Sequence, residues 1–149
     1  MLEHEEYMLE ALRLAKRAEE SGEVPVGCVI TNSQGDIIAK GYNRRETELN
    51  ALAHAEIIAI DEACRSLGSW RLSGCNMYVT LEPCPMCAGA VINSRISRVY
   101  YGARDEAVGE CGGVINLFME RFGHSPKLIG GILEQECSEI LSGFFRRLR

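Results

Sequence analysis

The chain has 149 residues, 46% hydrophobic and 25% charged, with a formal net charge of −5. Those values suit one domain over residues 1–149 with a buried core, and the acidic sum argues against a general nucleic-acid coat while leaving room for a local basic patch. No apolar run approaches the ~20 residues that span a bilayer, and the acidic start lacks the basic-then-apolar order of a secretory signal, so the expected compartment is the cytoplasm, where thiols stay reduced.

Helical spacing runs from Leu2 to Ser21, with Tyr7, Leu9, Leu12, Leu14 and Ala15 interleaved with Glu, Arg and Lys. Gly22 is its stop. Val26–Ile30 and Ile37–Ala39 flank the turn residues Asn32 to Asp36 and read as an antiparallel hairpin. Ala51–Arg65 is rich in Ala, Ile and Glu and reads as a helix ending near Gly68. Asn76–Leu81 is a strand, Pro85–Asn93 a helix and Ser97–Gly102 a strand. A loop holding Gly109, Gly112 and Gly113 leads to a helix over Val114–Phe122, a short strand over Lys127–Ile132 and a closing helix over Glu134–Arg149. Strands alternating with helices predict an α/β fold with parallel neighbours and helices on both faces of a mixed sheet.

Seven cysteines cannot all pair within one chain, so some are free to serve a metal or a reaction. Cys84 and Cys87 stand three apart at the front of a helix, which puts both sulfurs on one side of its first turn. The free N–H groups and the dipole of that turn favour thiolates. Two thiolates and the imidazole of His54 make three ligands of a tetrahedral zinc, with the fourth position left for water, whose pKa falls to ~7 there. Glu56, two residues after His54, is free to stand beside that water and move protons. A lone C-x-x-C also occurs as a redox pair or in structural zinc sites, but no second Cys or His pair accompanies this one. Cys28, Cys64, Cys75, Cys111 and Cys137 read as small buried apolar residues. Met86 reads as packing, and His4 and His124 carry no ligand spacing.

The joint pattern His54-Ala55-Glu56 and Pro83-Cys84-Pro85-Met86-Cys87 resembles the signature of zinc-dependent nucleobase deaminases. The strings Val24-Pro25-Val26-Gly27, Trp70-Arg71-Leu72, Tyr78 to Ala90, Tyr101-Gly102-Ala103-Arg104-Asp105 and the tail Leu141-Ser142-Gly143-Phe144-Phe145-Arg146 extend the likeness to the bacterial tRNA-specific adenosine deaminases over nearly the whole chain. The resemblance implies a three-layer α/β/α cytidine-deaminase-like fold around a mixed five-stranded sheet. It implies hydrolytic conversion of adenosine to inosine at the wobble position of a tRNA anticodon, in a particular arginine tRNA. It further implies one Zn2+ per subunit and a homodimer. Carried over position by position, Asn43 hydrogen-bonds the inserted base, Val26 and Ala55 line its pocket, Asp105 lies near the nucleotide, and Phe145 stacks near RNA. Arg146, with Arg44, Arg45, Arg147 and Arg149, meets phosphates.

The sequence departs from the family pattern in three places. Ala51-Leu52-Ala53 stands where Pro-Thr-Ala is usual. Glu106 to Gly113 lacks the usual Lys and hydroxyl residue, and Gly123 precedes His124 in place of Asn. Two other functions compete on the sequence. One is the same chemistry on a free base or nucleoside such as guanine or cytosine; the other is a non-catalytic zinc-stabilised RNA-binding module, which would not need Glu56.

Overall fold

A computed structural model describes residues 2–105 and 117–148. The expectations for the glycine loop, Cys111, the 106–113 departures, residues 114–116 and Arg149 lie outside the described residues. The elements run α1 (Leu2–Glu20), β1 (Gly27–Thr31), β2 (Ile37–Tyr42), α2 (Ala55–Leu67), β3 (Asn76–Leu81), α3 (Pro85–Ser94), β4 (Arg98–Ala103), a 3₁₀ turn (Leu117–Met119), β5 (Lys127–Ile129) and α4 (Glu134–Arg147). Among the described residues no helix is long and apolar enough to cross a membrane.

The five strands lie in the order β2-β1-β3-β4-β5. β1 runs antiparallel to both β2 and β3, whereas β3, β4 and β5 are parallel. The expected mixed five-stranded sheet and its opening hairpin are therefore present. Strand side chains alternate between faces. Cys28, Ile30, Met77, Val79, Val99 and Tyr101 point to one core, with Ala59 and Ala63 of α2 and Ala88 and Val91 of α3. Val29, Tyr78 and Tyr100 point to the other, with Met8, Ala11 and Leu14 of α1 and Cys137 of α4. Each face is thus covered by two helices, the three-layer arrangement that the resemblance implies.

Two expected helices are corrected. The helix anticipated over Ala51–Arg65 begins at Ala55. The backbone before it is tied elsewhere: the Leu52 N–H donates to Asn50 Oδ1 at 2.9 Å and the Arg44 N–H to the Ala53 carbonyl at 2.9 Å. Ala-Leu-Ala has the propensity for helix, but a weak local preference yields to these contacts. In place of a helix over Val114–Phe122, the described part holds only the 3₁₀ turn, anchored by buried Phe118, while Met119 to Phe122 are exposed. One buried anchor does not offset the cost of nucleating a longer helix. The last strand also ends early, at Ile129 rather than Ile132. A Cβ at Gly130 would meet the Tyr101 ring, and Gly131 turns the chain at φ +85.

Gly41 sets the position of α2. A Cβ there would lie 2.3 Å from the Ala55 carbonyl oxygen and 3.0 Å from the Ala59 nitrogen. Only a residue without a side chain lets β2 approach the first turn of α2 this closely. Gly41→Ala is expected to lower stability by about 1–3 kcal/mol, as overpacking does, and to lower activity as well, because Ala55 and Glu56 move with that turn. Urea denaturation and an initial-rate assay read the two effects.

Candidate active site

Helices α2 and α3 both open onto one cavity of about 190 Å3. His54 is the N-cap of α2 (φ −78, ψ 152) and Cys84 the N-cap of α3 (φ −72, ψ 172). Caps are usually Ser, Thr, Asp or Asn, whose side chains bond back to the helix. Neither His54 nor Cys84 makes that bond. Their side chains turn toward each other, so two helix N-termini, each carrying a partial positive charge, face one spot. Pro85 starts α3 because the first turn needs no N–H there. Cys87 follows within that turn and is fully buried.

The Cys84 and Cys87 sulfurs each lie 3.6 Å from His54 Nδ1. A tetrahedral zinc with Zn–S of about 2.3 Å and Zn–N of about 2.0–2.1 Å separates those atoms by about 3.6 Å. The three ligand atoms lie within 4.8 Å of one another, the one such group among the described residues. Geometry and donor chemistry both fit one zinc with a fourth position toward the cavity. The two thiols differ in charge state. A hydrogen bond from Cys87, helped by His54, holds the Cys84 thiol down at about 4. Sharing with Cys84, together with burial, holds Cys87 well above the ordinary thiol value. A metal would displace the proton these sulfurs share.

Glu56 sits in the first turn of α2, buried. Burial raises its carboxyl to about 7, and the Cys84 charge pushes the same way. A buried carboxyl poised near neutrality, on the cavity wall next to a metal site, can take up and return protons.

The other expected site residues separate into two groups. Val26, Asn43, Ala55 and Asp105 line the cavity with His54, Glu56 and Cys84. Asn43 is buried. Its amide donates to the Val24 carbonyl at 3.2 Å, and its Oδ1 accepts from the Arg45 N–H at 3.2 Å. One amide N–H and one lone pair are left for a base edge. Phe145 and Arg146 do not line the cavity; they project from the last turns of α4. Phe144 is 7% exposed and packs inward, whereas Phe145 is 47% exposed.

Two buried acids beside the cavity escaped the sequence reading. Glu82 accepts the Asp105 N–H at 3.1 Å and so braces the β4 side of the mouth. Glu23 accepts the Glu46 N–H at 3.1 Å and both the N–H and hydroxyl of Thr47 at 2.6 Å, which braces the opposite loop carrying Arg44 and Arg45. Nothing in composition or period marks these acids; their loop partners are distant in sequence. Burial acts to raise the Glu23 pKa, but the hydrogen bonds from Thr47 and Glu46 and the Arg45 charge together outweigh it and leave it below the ordinary value. A carboxyl with a depressed folded pKa contributes stability above its unfolded value, about 4.5, and loses it as pH falls through the folded one. Glu23→Gln should therefore lower the urea midpoint relative to wild type at pH 7, and the gap should close well below pH 4.5. Glu23→Ala should cost about 1–3 kcal/mol at pH 7 by stripping acceptors from those donors. A gap independent of pH would refute the ionised brace.

Comparison with known proteins settles the family. Residues 1–103 match the family model described as the cytidine and deoxycytidylate deaminase zinc-binding region. The chain belongs to that deaminase family. A tRNA-specific adenosine deaminase of Bacillus subtilis (strain 168) is 54% identical, over 100% of this chain and 92% of the relative. A solved structure from studies of A-to-I editing by tRNA:A34 deaminases superposes with a TM-score of 0.88 at 42% identity, over 91% of this chain and 99% of that one. A guanine deaminase structure from Bacillus subtilis superposes less well, with a TM-score of 0.66 at 38% identity, over 78% of this chain and 73% of that one. For the deaminase, these matches establish zinc as its metal, and His54, Cys84 and Cys87 are arranged to hold one such ion.

Proposed function

We propose that this deaminase converts adenosine to inosine at the wobble position of a tRNA anticodon, taking one water and releasing one ammonia. The observation that carries the reading is the likeness to a tRNA-specific adenosine deaminase along the full chain, beyond the zinc region alone. The cavity agrees in scale. At about 190 Å3 it is smaller than sites that enclose drug-sized ligands, and it suits a single base splayed out of a loop.

His54, Cys84 and Cys87 would hold a zinc ion, which would lower the pKa of water to ~7 and so make hydroxide available at neutral pH. Glu56 takes the water's first proton and passes it to the ring nitrogen beside the reacting carbon; it then takes the remaining proton of the added hydroxyl and gives it to the amine, which departs as ammonia as the carbonyl forms. Val26 and Ala55 hold the base by its faces, Asn43 by its edge, and Asp105 meets the nucleotide at the mouth. Phe145 offers an exposed ring for stacking and Arg146 a charge for a phosphate.

The substrate is taken to be an arginine tRNA, the compartment the cytoplasm, and residues 1–149 one functional domain. A second copy of the chain would cover an apolar groove of about 570 Å3 on the α2–α3 side, where Leu52 and Phe122 are more than half exposed. Light scattering is expected to give a dimer; an active monomer would refute that part.

The deciding experiment compares inosine formation from an anticodon stem-loop with ammonia release from free adenosine, guanine and cytosine. Turnover of the stem-loop is expected. Turnover of guanine alone would favour the small-molecule reading to which the guanine deaminase likeness points. Zinc-dependent binding of the stem-loop without turnover of any substrate would favour the RNA-binding module.

A further inference from the structure

The acidic total of the chain hides three arginines around the end of β2, of which Arg45 lines the cavity while Arg17 and Arg44 lie on the α1 side. Tyr42 ends β2, immediately before the cavity residue Asn43. Two guanidinium groups stack on its ring: Arg17 from the last turn of α1 and Arg44 from the following loop, each with its central carbon 5.0 Å from the ring centroid. Stacking on one ring brings two like charges close together, an arrangement with a Coulomb cost unless an anion shares it. Arg44 has a carboxylate, Glu48 at 3.2 Å. Among the described residues Arg17 has no carboxylate in ion-pair contact; Arg45, which lines the cavity, has none that close either, although its charge acts on Glu23. Arg147, at the end of α4, pairs with Glu19, two residues beyond Arg17, so the basic end of α4 reaches the same edge.

Resting on the tRNA reading above, we propose that Arg17, held flat by Tyr42, contacts a phosphate of the RNA strand that leads the target base into the cavity. The phosphate track then runs from Arg45 at the rim, across Tyr42, onto the end of α1. A ring-stacked guanidinium loses less freedom on binding than a free one, and its remaining N–H donors suit a phosphate oxygen pair. A purely structural role, as a cation at a helix C-terminus, would show itself in thermal stability and not in RNA binding.

The test uses the zinc-loaded full chain and a labelled anticodon stem-loop. Dissociation constants are measured between 50 and 200 mM salt, beside kcat, KM and thermal midpoint. For Arg17→Ala the Kd and KM are expected to rise about three- to tenfold, with kcat within about twofold and the slope of log K against log salt shallower by about 0.7–0.9. Arg17→Lys should restore the slope and part of the affinity. Arg13→Ala, further up the same helix and paired with Glu10, should leave the slope unchanged. An unchanged slope in Arg17→Ala, or an equal change in Arg13→Ala, would overturn the contact. If wild type turns over free bases and not the stem-loop, the tRNA reading itself falls, a result distinct from an active wild type with an indifferent Arg17.

Discussion

Glu56→Ala should abolish deamination while leaving zinc bound. The expected loss in kcat is at least the ~10²–10⁴-fold that a positioned proton-transfer group contributes, since this one carboxyl serves both the attacking water and the leaving amine. Metal retention follows from geometry: the Nδ1–sulfur distances that fit zinc involve His54, Cys84 and Cys87 and no carboxylate oxygen. Glu56→Gln sharpens the result. It keeps the shape and a hydrogen-bonding end on the α2 wall but cannot cycle a proton. Inosine formation and zinc content, measured on the same samples, decide the matter. Loss of activity with loss of zinc would make Glu56 a support of the metal site; retained activity in both variants would end the proton-transfer role. Neither change should lower the thermal midpoint much, because a carboxyl buried in a dry wall contributes function at the expense of stability.

What the sequence disclosed about this site was local chemistry. Cys84 and Cys87 were readable because a ligand pair on one helical turn has a fixed spacing, and His54 because the chain has only three histidines. β3 lies over Asn76–Leu81, as its apolar run between turn residues predicts. The start of α2 was not readable. Residues 51–54 have helical composition, and what stops the helix is a set of bonds to Asn50 and Arg44, whose competition with the helix is not revealed by composition. Glu23 and Glu82 were hidden for a related reason. An acid is normally exposed, and these two are buried because loops distant in sequence fold over them. The Arg17–Tyr42–Arg44 stack likewise depends on α1 lying beside the end of β2, a tertiary fact. Motifs thus revealed the reacting centre and the resemblance four residues of its wall, whereas the acids that brace the loops around that wall required the fold.

Removing the metal should stop the reaction without unfolding the chain. Both cores, on the two faces of the sheet, are built from Ile, Val, Leu, Met, Ala and Tyr packing that extends well beyond the three ligands. Chelation should therefore leave the far-ultraviolet circular dichroism of a folded α/β protein. The thermal midpoint should fall, because zinc stabilises the folded state by mass action, about 4 kcal/mol where free metal exceeds its dissociation constant a thousandfold. Turnover should drop to background, since Glu56 alone has no hydroxide to use at neutral pH, and adding zinc back should restore it. Cys87→Ala should reproduce the chelated state permanently. Cys28→Ala is the matched control: Cys28 is an equally buried thiol on β1, in the same core as α2 and α3, but is not a ligand. It should keep its zinc and its activity and show only a modest packing loss. If the zinc-free chain turns over as fast as the loaded one, or if Cys28→Ala loses metal as Cys87→Ala does, the assignment of these two sulfurs and this imidazole to a catalytic zinc is wrong.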